Sequence, residues 1–217
     1  MRFQDRIEAG RTLAELLASM DLHDPVVLAL PRGGVPVAVQ VGARLGAPVD
    51  VFVARKIGYP GHEEFGIGAI AEGSDEVLVG EAAERLGLDR WLVAELAPRE
   101  RLEVQRRVLA YRGGRQLPEL TGRDVVLVDD GLATGVTAEA ALEALRSRQP
   151  RRLVLAVPVC AGDTARRLRD IADDVVCASA QENLGAVGVW YTDFHPVTDQ
   201  EVVGLLSDAS RPAGKRE

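Results

Sequence analysis

Val125-Val126-Leu127-Val128-Asp129-Asp130-Gly131-Leu132-Ala133-Thr134-Gly135-Val136-Thr137 decides the fold. Its uninterrupted aliphatic run reads as a strand buried on both faces, as in parallel sheets covered by helices. Two carboxylates follow, then a small-residue loop, then an Ala/Leu/Glu-rich helix beginning near Gly135. A helix start leaves its first amides without intrahelical acceptors and carries the positive end of the helix dipole, so the loop suits a phosphate. Asp129 and Asp130 cannot serve that anion, because like charges repel. They suit hydrogen bonds from sugar hydroxyls, or a hydrated Mg2+. Taken alone, the segment describes a site for a sugar phosphate.

Strands and helices alternate on both sides of it. Asp5 to Met20 carries Ile7, Leu13, Leu16, Leu17 and Met20 at helical spacing. Pro25 to Leu30 reads as a strand, and Val35 to Leu45 as a helix ended by Gly46. Between them, Pro31-Arg32-Gly33-Gly34 offers a cation beside glycines that permit positive φ and close approach of a ligand. That makes a second anion site; a tight turn with a surface arginine is the alternative. Val49 to Ala54 reads as the next strand, with Arg55 and Lys56 at its C-terminal end. Lysine occurs only at Lys56 and Lys215 among 26 basic residues, which singles out the one inside the chain.

Ile57 to Phe65, with Gly58, Pro60, Gly61, Glu63 and Glu64, reads as a long irregular loop of the kind that forms lids. Ile67 to Ala71 and Glu76 to Val79 read as a strand pair. Gly66 to Ala71 fits a dinucleotide-binding pattern in letters only, because no strand ends there and no helix starts. Asp89 to Tyr111 is one long helix or two, with Pro98 as a break or as an N-terminal position. Its mixed charges face solvent or a second subunit, so a homodimer is one reading. After the central segment come a helix with Ala138, Ala141, Leu142 and Leu145 buried, a strand Leu153 to Val159, a helix Asp163 to Ile171 and a strand Asp174 to Ala178.

This succession implies an α/β fold: a mostly parallel sheet, right-handed crossovers and helices on both faces. Ligands of such sheets bind beyond the C-terminal strand ends, where Arg32, Arg55-Lys56 and Asp129-Asp130 all fall. Trp190, Tyr191, Asp193 and Phe194 gather aromatics in a chain only 4% aromatic, either as a stacking wall for a planar ligand or as core. Thr198 and Glu201 read as a capping box for a last helix through Leu206. His62 and His195 read as loop histidines.

The 217 residues suit one domain, 1–207, with a polar tail over 208–217 that contains Lys215. A net charge of -7 argues against a general nucleic-acid binder while leaving room for a local basic pocket. No apolar run approaches the ~20 residues of a membrane span, and Met1 to Asp5 lacks the core of a signal peptide, so the expectation is a cytoplasmic protein without membrane contact. Cys160 and Cys177 lack metal-ligand spacing and read as buried, reduced thiols.

Val125 to Thr137 resembles the thirteen-residue phosphoribosyl-diphosphate signature of type I phosphoribosyltransferases, with apolar strand, acidic pair and Thr-Gly loop at the family's spacing. Asp5 to about Leu206 resembles a bacterial subgroup of that family of unsettled substrate. The resemblance implies the family's fold, with a flexible loop over the site and a small C-terminal hood for the base. It implies a Mg2+-dependent transfer of the phosphoribosyl group from phosphoribosyl diphosphate (PRPP) to a nucleobase or similar nitrogen acceptor. By it, Asp129 and Asp130 hold the ribose hydroxyls, while Ala133, Thr134, Gly135, Val136 and Thr137 hold the 5′-phosphate. Arg32, Gly33 and Gly34 bind diphosphate in a turn that is often a cis peptide, and Arg55 and Lys56 reach the diphosphate too. Mg2+ is held mainly through PRPP and water, with Asp129 and Asp130 as candidate protein ligands. Trp190, Tyr191, Asp193 and Phe194 fall in the hood.

Two departures matter. Ala133 stands where purine-specific relatives place an acidic residue, which counts against a hypoxanthine-guanine type of acceptor; Val136 replaces a frequent glycine. A non-catalytic sensor of PRPP or nucleotides, with the same fold, is the rival reading. A phospho-acceptor receiver domain shares the acidic pair but leaves the Thr-Gly loop and the basic strand ends unexplained.

Overall fold

The aliphatic run lies in β6 (Asp124–Val128), all of it buried. β6 pairs in parallel with β1 (Val26–Ala29) on one side and β7 (Arg152–Ala161) on the other. With β2 (Val49–Val51) and β8 (Asp174–Gln181) at the edges, the sheet order is β2-β1-β6-β7-β8. The computed structural model describes residues 1–210.

Alternation along β1 and β6 divides the core between the two faces of the sheet. Val27, Ala29, Val126 and Val128 face α1 (Arg6–Ala18), α2 (Gly34–Leu45) and α7 (Asp199–Ala209). Val26, Leu28, Val125 and Leu127 face α5 (Val136–Arg146) and α6 (Gly162–Leu168). The chain leaves β1 through α2 toward β2 on one face, and leaves β6 through α5 toward β7 on the other. Adjacent strands whose connections diverge open a crevice at their C-terminal ends, which is where open α/β sheets bind ligands.

The cap residues behave as their chemistry dictates. Asp5 accepts from the amides of Ile7 and Glu8, both at 2.8 Å, at the head of α1. Gly46 ends α2 with φ 63°, and Thr198 and Glu201 close a capping box on α7. The expected polar tail, 208–217, begins inside α7, which runs to Ala209, and its residues 211–217, Lys215 included, fall outside the described residues. Cys160 is buried and Cys177 half-buried, both as free thiols.

Two expectations are corrected between Val49 and Ala71. The expected strand Val49 to Ala54 ends at Val51. The Phe52 amide still reaches Ala29 O at 2.9 Å, but the Val53 amide donates to Glu72 Oε1 at 2.8 Å, and Glu72 donates its own amide to Val53 O. Glu72, ion-paired to the buried Arg112, thus takes the chain out of the first sheet. Residues 52 to 54 stay buried through that exit, so their apolar letters gave no sign of it. The expected loop Ile57 to Phe65 is a hairpin, β3 (Ala54–Tyr59) and β4 (His62–Ala71), turning at Pro60-Gly61. The glycines that suggested irregular chain serve the hairpin: Gly61 adopts φ 80°, and a Cβ at Gly58 would lie 2.4 Å from Glu63 O. β5 (Leu78–Val79) completes a second, antiparallel sheet. α3 (Glu81–Arg85) follows, and α4 (Arg90–Arg112) is a single helix with Pro98 inside it.

Candidate functional site

The β1 and β6 ends meet through the glycine pair. Gly33 has φ -60° and Gly34 is the first residue of α2, so neither uses the positive φ expected of them. Contact requires them instead. A Cβ on Gly33 would lie 2.0 Å from Asp130 Oδ2, and one on Gly34 would lie 2.6 Å from Val128 O. The peptide between Pro31 and Arg32 is cis.

Asp129 and Asp130 stand half-buried at this junction. Asp129 Oδ1 accepts from the Asp130 amide at 2.8 Å, and Asp130 Oδ2 accepts from Arg6 Nε at 2.8 Å. Tyr191 donates its hydroxyl to Asp130 O at 2.6 Å. Burial, and then the charge of Asp130, raise the Asp129 carboxyl well above the usual carboxylate range. Burial raises Asp130 too, against the charge and hydrogen bond of Arg6. A raised folded-state pKa means that the folded chain binds more protons than the unfolded one between the two values. Stability therefore falls as pH rises through that window, and the ionised pair costs stability at neutral pH. Asp129→Asn keeps the Oδ1 acceptor and removes the charge. It is expected to raise the thermal midpoint by about 2–4 °C near neutral pH, with the gain vanishing in acid. Unfolding scans across pH check this, and an equal change at every pH contradicts it.

Beyond the pair, Leu132 anchors the loop to β7: its amide donates to Val159 O at 2.9 Å, and its carbonyl accepts from Ala161 at 2.8 Å. Thr164 Oγ1 holds Ala133 O at 2.7 Å and Arg167 Nη2 holds Thr134 O at 2.8 Å. Two loop carbonyls are thereby occupied from the α6 side. Gly135, at φ 76°, turns the chain into α5, whose N-terminus has no side-chain cap among the described residues. Its first-turn amides are left for an external acceptor. Thr134 is exposed, and Thr137 and Ala133 half-buried, at this open end.

The expected cations separate. Arg55 pairs across the hairpin with Ile70 and Lys56 with Ala69, so the two side chains leave opposite faces. Arg55 faces α4 and pairs with Glu100 at 2.7 Å. Lys56 lies on the α5 side: a Cβ built on Gly66 would meet Val136 Cγ1 at 3.3 Å and Lys56 Cβ at 3.8 Å. Arg32 is exposed, with Nη1 3.4 Å from Asp199 Oδ1. Asp199 also accepts from Arg106 at 2.9 Å and from the Tyr111 hydroxyl at 2.6 Å. Burial and that bond push the Tyr111 phenol up to about 12.

The aromatic stretch forms a cap over Asp130 and Gly131, built on a 3-10 turn (Val187–Trp190). A Cβ on Gly131 would lie 2.4 Å from Val187 Cγ1. Tyr191 is 2% exposed, its ring between Phe3 at 5.8 Å and Phe194 at 4.9 Å. It therefore takes the core role, leaving no open ring face. Phe194 is half-buried, and Trp190 donates Nε1 to Leu184 O at 2.9 Å. Asp193 and His195 are exposed and bonded to each other at 2.9 Å, which raises the imidazole and lowers the carboxyl. His62 is exposed on the hairpin.

Arg6 is the site residue that sequence reasoning missed. It is 8% exposed, and besides Asp130 it reaches His195 O with Nη1 at 2.9 Å and lies 3.9 Å over the Phe194 ring. A signal existed: a cation at the first position of a helix opposes the helix dipole and invites another explanation.

Comparison with known proteins places the chain in a family. The family model described as phosphoribosyl transferase domain matches residues 4–194. A Mycobacterium tuberculosis H37Rv protein named "Putative phosphoribosyl transferase Rv0571c" is 43% identical over 209 residues, 96% of this chain and 47% of its own length. The chain thus spans about half the length of the curated relatives it matches. The crystal structure of TT1426 from Thermus thermophilus superposes with TM-score 0.81 at 45% identity, covering 97% of this chain and 100% of that one. AQ2163 from Aquifex aeolicus, at 15% identity and TM-score 0.50, covers 81% and 73% and shares the fold alone. The chain has the type I phosphoribosyltransferase fold and belongs to the phosphoribosyl transferase family.

Proposed function

We propose that this chain transfers the phosphoribosyl group from PRPP to a nitrogen nucleophile, a nucleobase or similar, with release of diphosphate. One observation carries the reading. A carboxylate pair and an uncapped helix start are held five residues apart at the divergence of β1 and β6, facing the Arg32 turn. That spacing offers acceptors for two ribose hydroxyls beside amides for the 5′-phosphate, with cations on the diphosphate side.

Breaking the bond from the anomeric carbon to diphosphate develops positive charge on the ribose and negative charge on the leaving group. Asp129 and Asp130 hold the ring in line through its hydroxyls, and Ala133 to Thr137 fix the phosphate with backbone amides. Lys56, on the α5 side of the hairpin, and Arg32 stabilise the departing diphosphate; Arg55, on the opposite face, is paired with Glu100 of α4 and is not placed on the diphosphate in this reading. The hairpin around Ile57 to Gly68 closes against water, which would otherwise consume the donor. Among the described residues no three histidine, cysteine or carboxylate side chains are grouped to hold a metal. Two carboxylates fit Mg2+ bound mainly through the donor's phosphates and water, where it would neutralise charge on diphosphate. Phe194 and Asp193 are the groups offered to the acceptor, with Trp190 tied to Leu184 in the same segment. Ala133 supplies no proton to a base, which disfavours acceptors that need one there.

The test is incubation with PRPP, Mg2+ and a panel of bases, following diphosphate release and nucleotide formation. Asp130→Asn and Lys56→Ala are each expected to lower turnover at least about tenfold while leaving the fold intact. Wild-type rates in both variants would sink the site. PRPP binding without product from any acceptor favours the sensing protein.

A further inference from the structure

We propose that Arg6 is a positioning residue that fixes Asp130 for the ribose and ties that carboxylate to the C-terminal cap. The inference rests on the phosphoribosyl reading and extends it to a residue 124 positions away in the chain.

Asp130 is restrained from three directions. Arg6 Nε donates to Oδ2, Gly33 leaves no room beside the same oxygen, and Tyr191 donates to the Asp130 carbonyl. Oδ2 is thus committed to the protein, and Oδ1 is the oxygen left to receive a hydroxyl. The fork geometry of the guanidinium lets the same side chain do a second thing. Nη1 donates to His195 O, and the planar group lies over Phe194, so one arginine bonds the acid pair and the segment offered to the acceptor. At 8% exposure it cannot be serving as a solvated surface charge. A lysine, with one point of charge, cannot bridge Asp130 and His195 in this way. Among the described residues Arg6 hydrogen-bonds Asp130 and His195 and none of the Arg32 turn or the phosphate loop, so its influence should be confined to ribose and acceptor.

Calorimetric titration of the full chain with PRPP and, separately, with inorganic diphosphate tests this, using Arg6→Ala, Arg6→Lys, Asp130→Asn and the double variant Arg6→Ala with Asp130→Asn. Arg6→Ala is expected to weaken PRPP binding about tenfold, with Arg6→Lys recovering less than half of the loss. Diphosphate binding should stay within twofold of wild type. In the Asp130→Asn background the further effect of Arg6→Ala should fall below twofold, because the arginine acts through that carboxylate. Additive losses, an equal loss for diphosphate, full rescue by lysine, or undiminished PRPP affinity would each overturn the role. Failure of the wild-type chain itself to bind PRPP would overturn the phosphoribosyl reading and this inference with it, and is told apart by occurring before any substitution.

Discussion

Gly33→Ala is expected to lower PRPP affinity about hundredfold, equivalent to about 2.7 kcal/mol, although the backbone conformation there imposes no strain on alanine. The φ of -60° and ψ of -34° at Gly33 suit any residue. The whole effect must come from the methyl group, which would stand 2.0 Å from Asp130 Oδ2 and 2.6 Å from its Cγ. An exposed carboxylate would swing aside at little cost. This one is held at Oδ2 by Arg6, and its residue is pinned by Tyr191. Either the carboxylate abandons its pose, or the β1–α2 turn withdraws and carries the Arg32 peptide with it. Both separate the proposed ribose half of the site from the proposed diphosphate half. The packing cost should be about 1–3 kcal/mol of stability. Adding Asp130→Ala tests the cause: the double variant should recover the stability lost by Gly33→Ala and none of the affinity. If the single variant binds PRPP as wild type does, the close approach of the two loops has no bearing on the ligand.

The same contact shows why part of the site was legible and part was not. β6 and α5 could be read because a strand buried on both faces must be aliphatic throughout, and the acids that end it have no core role. The Gly33-Gly34 pair was legible as a constraint, but its cause was not: its partners, Val128 and Asp130, lie almost a hundred residues away in the chain. The hairpin β3–β4 was hidden by its own turn and bulge residues, which are the letters of a loop until the pairing is seen. Arg55 and Lys56 looked like one basic strand end. Period-two alternation divides them once the strand is known to begin at Ala54. Arg6 was hidden most thoroughly, because a cation on an amphipathic helix normally faces water, and only the tertiary fold turns it onto Asp130. Tyr191 carried an ambiguity between core and ligand wall that its 2% exposure resolves toward core.

Gly135→Ala should be the most damaging change in the phosphate loop, for two separable reasons. The residue sits at φ 76°, ψ 0°, a left-handed conformation that costs a residue with a Cβ roughly 1–2 kcal/mol. The new methyl would also lie 2.5 Å from Thr164 Cγ2, with Leu168 and Leu132 at 3.3 and 3.4 Å behind it. Overpacking of that kind adds about 1–3 kcal/mol, so a total loss of about 2–5 kcal/mol is expected on chemical denaturation. Thr164 is poorly placed to yield, because its hydroxyl holds Ala133 O at 2.7 Å and its α6 neighbour Arg167 holds Thr134 O. Moving it releases the loop from α6 and scatters the amides proposed to hold the phosphate. Binding of ribose 5-phosphate should then weaken more than binding of diphosphate. Thr164→Ser removes the obstructing methyl and keeps the hydroxyl. In that background Gly135→Ala should regain the packing share of the stability and retain the conformational share. If the serine restores nothing, strain at Gly135 alone accounts for the loss; if it restores everything, the left-handed turn is not what the loop depends on.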